Sequence, residues 1–479
     1  MTKIPKDLTA YTFSPEGGRA TWQYMNYLLL LAYATPCAKW PFVWPYRDIA
    51  AAADFKNHSV KWYFVVTGNK VFTDFLNDIL KRPKLLDEII DFITTEKNAG
   101  VHQIRNLNLA SCSDQELIQS IETYFTHSKH LLISAANIRR ADRALLFSIR
   151  SKHPERADEI LRMSSILTQS SFAMQEELAL LKLATTVEQG SVKDEVIDAA
   201  LQKIHDSYAW SVMGYYDEKP KGIEYYREKL AHMISLGAAK TLAEVETKIT
   251  HDIAEREKFV ATLDGDDQIL AHIASQCAYI KDYFKSSINE LEYVAEPVFD
   301  ELAKRTGFMK TYIKDLTPDE ILKVFDGNKV DQTLHDERVR HAVVVYGFGE
   351  IYDFAGKDAD AFEATHLTIK NSTVREYKGR IACKGKVTGK VAIVKSHADF
   401  KKLQQGNILV VVNTSPDYVP IMQKAAAIVA EEGGLTAHVS VISREFGIPC
   451  IVGISHITDF LKDGDIVEVD ADKGIVKVL

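Results

Sequence analysis

The sequence predicts a multidomain chain, with a mostly α-helical region over residues 1–370 and a C-terminal β/α domain over residues 371–479. Three observations predict it. The chain has 479 residues, more than one ordinary hydrophobic core accommodates. Apolar residues before residue 330 recur at spacings of three and four. The last hundred residues instead carry short β-branched runs broken by Gly, Pro and Asn.

In the first region Leu85, Leu86, Ile89, Ile90 and Ile93 mark one face of a helix, as do Leu117, Ile118 and Ile121, and Met174, Leu178 and Leu181. Thr317-Pro318-Asp319-Glu320 has the form of a helix start, with Thr317 as N-cap and Pro318 at the first helical position. Trp62-Tyr-Phe-Val-Val-Thr reads as an isolated strand. Trp22, Trp40, Trp44 and Trp62, four of the five tryptophans, fall in the first 70 residues. They fit either a core built on large rings or a pocket for an apolar substrate.

The texture changes near residue 338, where Arg340-His-Ala-Val-Val-Val-Tyr-Gly reads as a strand and turn. Beyond it, Val391-Ala-Ile-Val, Asn407-Ile-Leu-Val-Val-Val, Ala427-Ile-Val-Ala and Cys450-Ile-Val are buried strands. Asp465-Ile-Val-Glu-Val and Gly474-Ile-Val-Lys-Val form a closing pair. Helices are expected over Tyr418 to Ala427 and Ala437 to Phe446. Lys384-Gly-Lys-Val-Thr-Gly-Lys-Val lacks the spacing of a phosphate loop and reads as a hairpin with a solvated lysine face.

Composition narrows the function classes. Hydrophobic residues make up 46% and charged residues 26%, with a formal net charge of -8, which gives no reason to expect a nucleic-acid or anionic-membrane partner. Five scattered cysteines, no CxxC pair and no leader-like N-terminus point to a cytoplasmic location without a disulfide framework. His127 and His130 share a helix face but have no carboxylate or cysteine at metal spacing, so they read as a surface pair and no metal site is expected.

The chemistry concentrates in Ala425–Gly453. A buried strand delivers the chain to Glu431-Glu432-Gly433-Gly434, and a helix starting near Thr436 puts His438 in its first turn. The free N–H groups and positive dipole end of a helix N-terminus favour an anion and disfavour imidazolium. A neutral His438 can attack phosphorus, and the negative product sits where the helix favours it. Gly433 and Gly434 permit close approach to a phosphate, Thr436 is placed to cap the helix, and Arg444 supplies a cation.

These motifs carry a resemblance. Thr414-Ser415-Pro416-Asp417-Tyr418-Val419-Pro420-Ile421-Met422, Gly433-Gly434-Leu435-Thr436-Ala437-His438 and Ser443-Arg444-Glu445-Phe446-Gly447-Ile448-Pro449 before Val452-Gly453 resemble the mobile phosphohistidine domain of phosphoenolpyruvate synthase, pyruvate phosphate dikinase and rifampicin phosphotransferase. The likeness covers Gly379–Leu479. Asp315-Leu316-Thr317-Pro318-Asp319-Glu320-Ile321 resembles a segment near the end of the helical domain of the rifampicin enzymes. The resemblance implies a swivelling carrier domain phosphorylated on His438. One departure stands out: relatives with Thr-Asp-Arg-Gly-Gly have a basic residue where this chain has Glu432.

Relatives charge the histidine from ATP on an ATP-grasp domain or from phosphoenolpyruvate on a TIM barrel, and the sequence shows neither pattern. The resemblance therefore implies a phosphotransferase component, ATP-dependent and dikinase-like, with ATP and Mg on an ATP-grasp partner in trans. No cofactor is expected on this chain, and a small-molecule acceptor is expected on the helical region. Two alternatives stay open: a non-catalytic phosphohistidine sensor or scaffold, and a carrier charged from phosphoenolpyruvate in trans. In relatives Thr436 can also be a regulatory phosphorylation site. A hinge is expected between Ala364 and Lys378, loosest at Asn371-Ser-Thr.

Overall fold

The computed structural model describes the strands at 14–20, 51–56 and 59–64, and then residues 80–479 except 83, 165, 191, 213–219, 327–330, 348–349, 368–374, 396, 413, 415–417, 432–437 and 455. The chain forms two compact units, one within Tyr27–Val43 and Gly68–Val330 and the other combining N-terminal strands with Asp331–Leu479.

The first unit is helical throughout its described residues. Three long helices, Leu85–Arg105, Asp114–Lys152 and Gly265–Thr306, pack pairwise. Ser113 caps the second through a reciprocal capping box with Glu116, and the Asp264 side chain caps the third. Asp264-Gly-Asp-Asp is therefore a helix start. Shorter helices at Phe172–Gln189, Asp194–Tyr208, Ile223–Ser235 and Ala238–Val260 enclose a satellite core around Leu180, Leu201, Tyr226 and Leu230. Thr317 caps Pro318–Leu322 as the sequence predicts.

The second unit contains two sheets. The strands β1 (Ser14–Ala20), β2 (Ala51–Lys56), β3 (Ser59–Phe64), β4 (Ala342–Gly347) and β5 (Glu350–Ala355) form an antiparallel sheet in the order β1-β3-β2-β4-β5. The strand read at Trp62 is β3. β1 and β2 depart from the helical expectation, and tertiary pairing explains them: Ala51 stands opposite Tyr346, almost three hundred residues later. The residues that carry three of the tryptophans, Trp22, Trp40 and Trp44, lie outside the described residues.

The C-terminal sheet uses β6 (Glu376–Lys378), β7 (Arg380–Cys383), β8 (Lys386–Val394), β9 (Ile408–Val411), β10 (Ala427–Ala430), β11 (Cys450–Val452), β12 (Ile466–Asp470) and β13 (Ile475–Val478). Their order is β6-β13-β12-β8-β9-β10-β11-β7. β8, β9, β10 and β11 run parallel, and every residue of β9, β10 and β11 is buried. Alternate residues serve opposite faces. Leu409, Val411, Ile428 and Ala430 join one core, and Ile408, Val410, Ala427 and Val429 the other.

Three expectations need correction. Lys384 and Gly385 join β7 to β8, but these strands pair with β11 and with β12 and β9 respectively, so they form no hairpin; Lys384, Lys386 and Lys390 are nevertheless exposed. The helix expected over Tyr418 to Ala427 is confined to Val419–Met422, because Ala425 and Ala427 are drawn into the core and the sheet. Part of the expected hinge is already strand, since Glu376–Lys378 pairs with β13; Asn371-Ser-Thr lies outside the described residues. Among the described residues, Cys112, Cys277, Cys383 and Cys450 form no disulfide.

Gly379 links β6 to β7. A Cβ there would stand 2.6 Å from side-chain carbons of both Ile451 and Ile454 and 2.8 Å from the Val452 carbonyl oxygen. The backbone oxygen cannot yield as a side chain can. Gly379→Ala should destabilise the unit by about 1–3 kcal/mol, read as a lower urea midpoint at unchanged slope. An unchanged midpoint would show that the link relaxes freely.

Candidate functional site

Four parallel strands deliver their carboxyl ends to one edge of the sheet, where α/β folds place their ligand sites. β10, the helix His438–Phe446 and β11 form a crossover between parallel neighbours, which puts the helix N-terminus at that edge. His438 is the first residue of this nine-residue helix. Its opening N–H groups have no acceptor within the helix, so the end favours negative charge.

The sequence holds the helix in place. Val439, Ser440 and Ser443 are buried, and Val439 joins the core shared by Leu409 and Ile428. Gly447 stops the helix in the left-handed region, φ 64°, and the Ile448 N–H donates to the Ser443 carbonyl at 2.9 Å. This is a Schellman stop, with Pro449 preventing continuation. The Ser-Arg-Glu-Phe-Gly-Ile-Pro motif thus sets the helix length and returns the chain to β11.

The side chains of His438 and Arg444, and the whole of Gly433, Gly434 and Thr436, lie outside the described residues. The structure therefore places the backbone of His438 and leaves the assigned roles of these five residues to experiment.

The structure adds groups that sequence reasoning missed. Glu431 follows β10 directly, and its N–H donates to the Val411 carbonyl at 3.0 Å. Its carboxylate accepts from the Thr458 N–H at 2.8 Å and from the Thr458 hydroxyl. Thr458 lies in the helix Ile457–Phe460 that follows β11. One acid therefore ties the residue after β10 to the helix that follows the adjacent strand β11.

His456 precedes that helix with φ 63°, the positive-φ non-glycine residue among those described. Its ring is buried at 6% exposure, with Nδ1 3.2 Å from Asp459 Oδ2 and Nε2 without a partner among the described residues. Asp459 also faces Lys395 Nζ, at 3.7 Å, from the end of β8. A lone Ser-His-Ile-Thr gives no periodic or motif signal that would have exposed His456. Glu431 was visible only as part of an acidic pair whose direction no pattern fixes.

Fold and site together define a β/α domain in which a helix opens on a histidine at the carboxyl edge of the parallel strands. Comparison gives this class its description: residues 403–474 match the PEP-utilising enzyme mobile domain. The chain is 32% identical to a probable phosphoenolpyruvate synthase of Archaeoglobus fulgidus over 47% of this chain and 32% of that one. It is 39% identical to one from Methanothermobacter thermautotrophicus over 27% of this chain and 19% of that one. It is 46% identical to phosphoenolpyruvate synthase of Pyrococcus furiosus over 21% and 12%. The chain thus matches about a third or less of these relatives' lengths. A span of 47% exceeds residues 371–479, so the first similarity reaches into the helical region. These likenesses support a phosphohistidine-domain phosphotransferase family. Among the described residues, no helix is long and apolar enough to cross a membrane.

Proposed function

We propose that this chain is the carrier and acceptor-binding component of a dikinase-like phosphotransferase, charged on His438 by an ATP-grasp partner in trans. The observation that carries the reading is the helix that begins at His438, at the carboxyl edge of the parallel sheet, within the span matching the mobile domain. The wholly helical character of the described residues within Gly68–Val330 supports placing the donor elsewhere, and leaves that region for the acceptor.

The chemistry is three displacements at phosphorus. A neutral imidazole nitrogen attacks the β-phosphorus of ATP, the P–O bond to AMP breaks, and AMP leaves. His438 then holds a pyrophosphoryl group, whose terminal phosphate passes to water as inorganic phosphate. An acceptor oxygen attacks the remaining phosphorus, the P–N bond breaks, and the imidazole returns neutral. Arg444 is assigned to charge stabilisation of the phosphoryl group, and Gly433, Gly434 and Thr436 to its cradle. Carrying the group between distant pockets requires the 371–479 domain to move.

The test mixes the full chain with a cognate ATP-grasp protein and ATP labelled at the β or the γ position. The expected result is acid-labile label on His438 from the β position only. No label on His438 from either position would end this reading. Label from the γ position alone would overturn the dikinase class while keeping the carrier.

A further inference from the structure

We propose that Glu96, His127 and His130 form a binding site for a divalent transition-metal ion of the zinc type, clamping two helices of the helical unit. The Leu85–Arg105 helix supplies Glu96, and the facing Asp114–Lys152 helix supplies both histidines. At a separation of three they occupy one face. Both Nδ1 atoms converge on the same carboxylate oxygen, at 2.9 Å from His127 and 2.7 Å from His130. One ligand atom from each residue lies within 4.8 Å of the others. The surface pair read from the sequence thus supplies two members of a three-residue cluster. Its missing carboxylate comes from a helix thirty-one residues earlier, a contact no local spacing reveals.

The donor set fits the chemistry. Two imidazoles and one carboxylate suit zinc and its neighbours, whereas calcium or magnesium would ask for oxygens alone. Three protein ligands leave a fourth position for water. Sites of this kind are built from side chains on facing helices of a bundle. Burial pushes the Glu96 carboxyl up, but the hydrogen bonds from His130 and His127 outweigh it and hold the group below the usual carboxylate range. An anionic ligand at 5% exposure is therefore ready. The His130 side chain keeps 29% exposure, which opens the cluster to water, against 13% for His127.

Binding replaces the two Nδ1 hydrogen bonds to Glu96 with bonds to the ion, and each neutral imidazole keeps its one proton on Nε2. Tetrahedral bonds of about 2.0–2.1 Å set donors roughly 3.3 Å apart, so each Nδ1 needs to draw back from the Glu96 oxygen by only about half an ångström. The surroundings hold the carboxylate's helix while this happens. Thr94 and Lys97 reach the Gly265–Thr306 helix through Tyr283 at 2.8 Å and Glu290 at 3.1 Å. Gly100 makes room for the His127 ring, since a Cβ there would stand 3.0 Å from its Cγ.

The test titrates the untagged, chelator-treated full chain with Co2+, followed by visible absorption, and then displaces it with Zn2+. Saturable tetrahedral bands at one equivalent are expected, with a raised thermal midpoint. Glu96→Gln, which keeps a hydrogen-bond acceptor, and His130→Gln should each weaken binding by at least about tenfold, the lower end of the losses caused even by outer-shell changes. Their metal-free circular dichroism should match wild type. Absence of a saturable cobalt spectrum in the wild-type chain overturns the proposal whatever the variants do. So does undiminished binding in both folded variants, which would mean that the three residues form a hydrogen-bonded brace only.

Discussion

His438→Ala is expected to reduce phosphoryl labelling to background, a loss of at least about 10^4-fold, the scale on which removing a covalent nucleophile acts. The fold should survive. The helix that His438 opens is anchored from its second residue onward by Val439, Ser440 and Ser443, and is terminated by Gly447. Circular dichroism and the urea midpoint should therefore stay near wild type while acid-labile label disappears. Arg444→Ala should slow single-turnover transfer by up to about 100-fold and leave the end-point of labelling intact, as expected of a charge-stabilising group rather than a nucleophile. Label persisting in His438→Ala would refute the assignment and turn attention to His456, a buried histidine shortly after β11. The double variant would then decide between them.

Much of the C-terminal domain is legible because it obeys short-range rules. β9, β10 and β11 are continuous apolar runs, as strands buried on both faces must be. The helix start at His438 and its Gly447 stop are likewise written locally. What escaped reading depends on distant partners. Ala51-Ala-Ala-Asp-Phe-Lys has little strand preference of its own and becomes β2 by pairing with β3 and β4. Ser14-Pro-Glu-Gly-Gly-Arg-Ala has the composition of a turn and becomes β1 against Ser59–Phe64. At the site, the bond between Glu431 and Thr458 joins residues twenty-seven apart through two loops. The Glu96 cluster joins two helices. In each case the local pattern permits several outcomes and tertiary contact selects one.

Glu431→Ala is expected to be the most disruptive change outside the histidine itself. It removes the acceptor for both the N–H and the hydroxyl of Thr458, which is only 3% exposed, so two donors lose their partner where little water replaces it. A cost of about 2–3 kcal/mol follows from hydrogen bonds to a charged group and the desolvation left behind. It should appear as a lower urea midpoint and faster hydrogen exchange at the Thr458 amide. Glu431→Gln keeps an acceptor and should lose less, about 1 kcal/mol. The functional consequence follows from position. Glu431 directly follows β10, lies seven positions before His438 in the sequence, and its carboxylate holds Thr458. With that bond gone, charging of His438 should slow by about tenfold or more per folded molecule, since small misplacements cost heavily in transfer chemistry. Thr458→Val, which removes the hydroxyl and keeps the N–H bond, should fall between wild type and Glu431→Ala in both measurements. A destabilised Glu431→Ala protein that still charges at the wild-type rate, measured well below its unfolding transition, would confine Glu431 to stability and separate its bond to Thr458 from the chemistry.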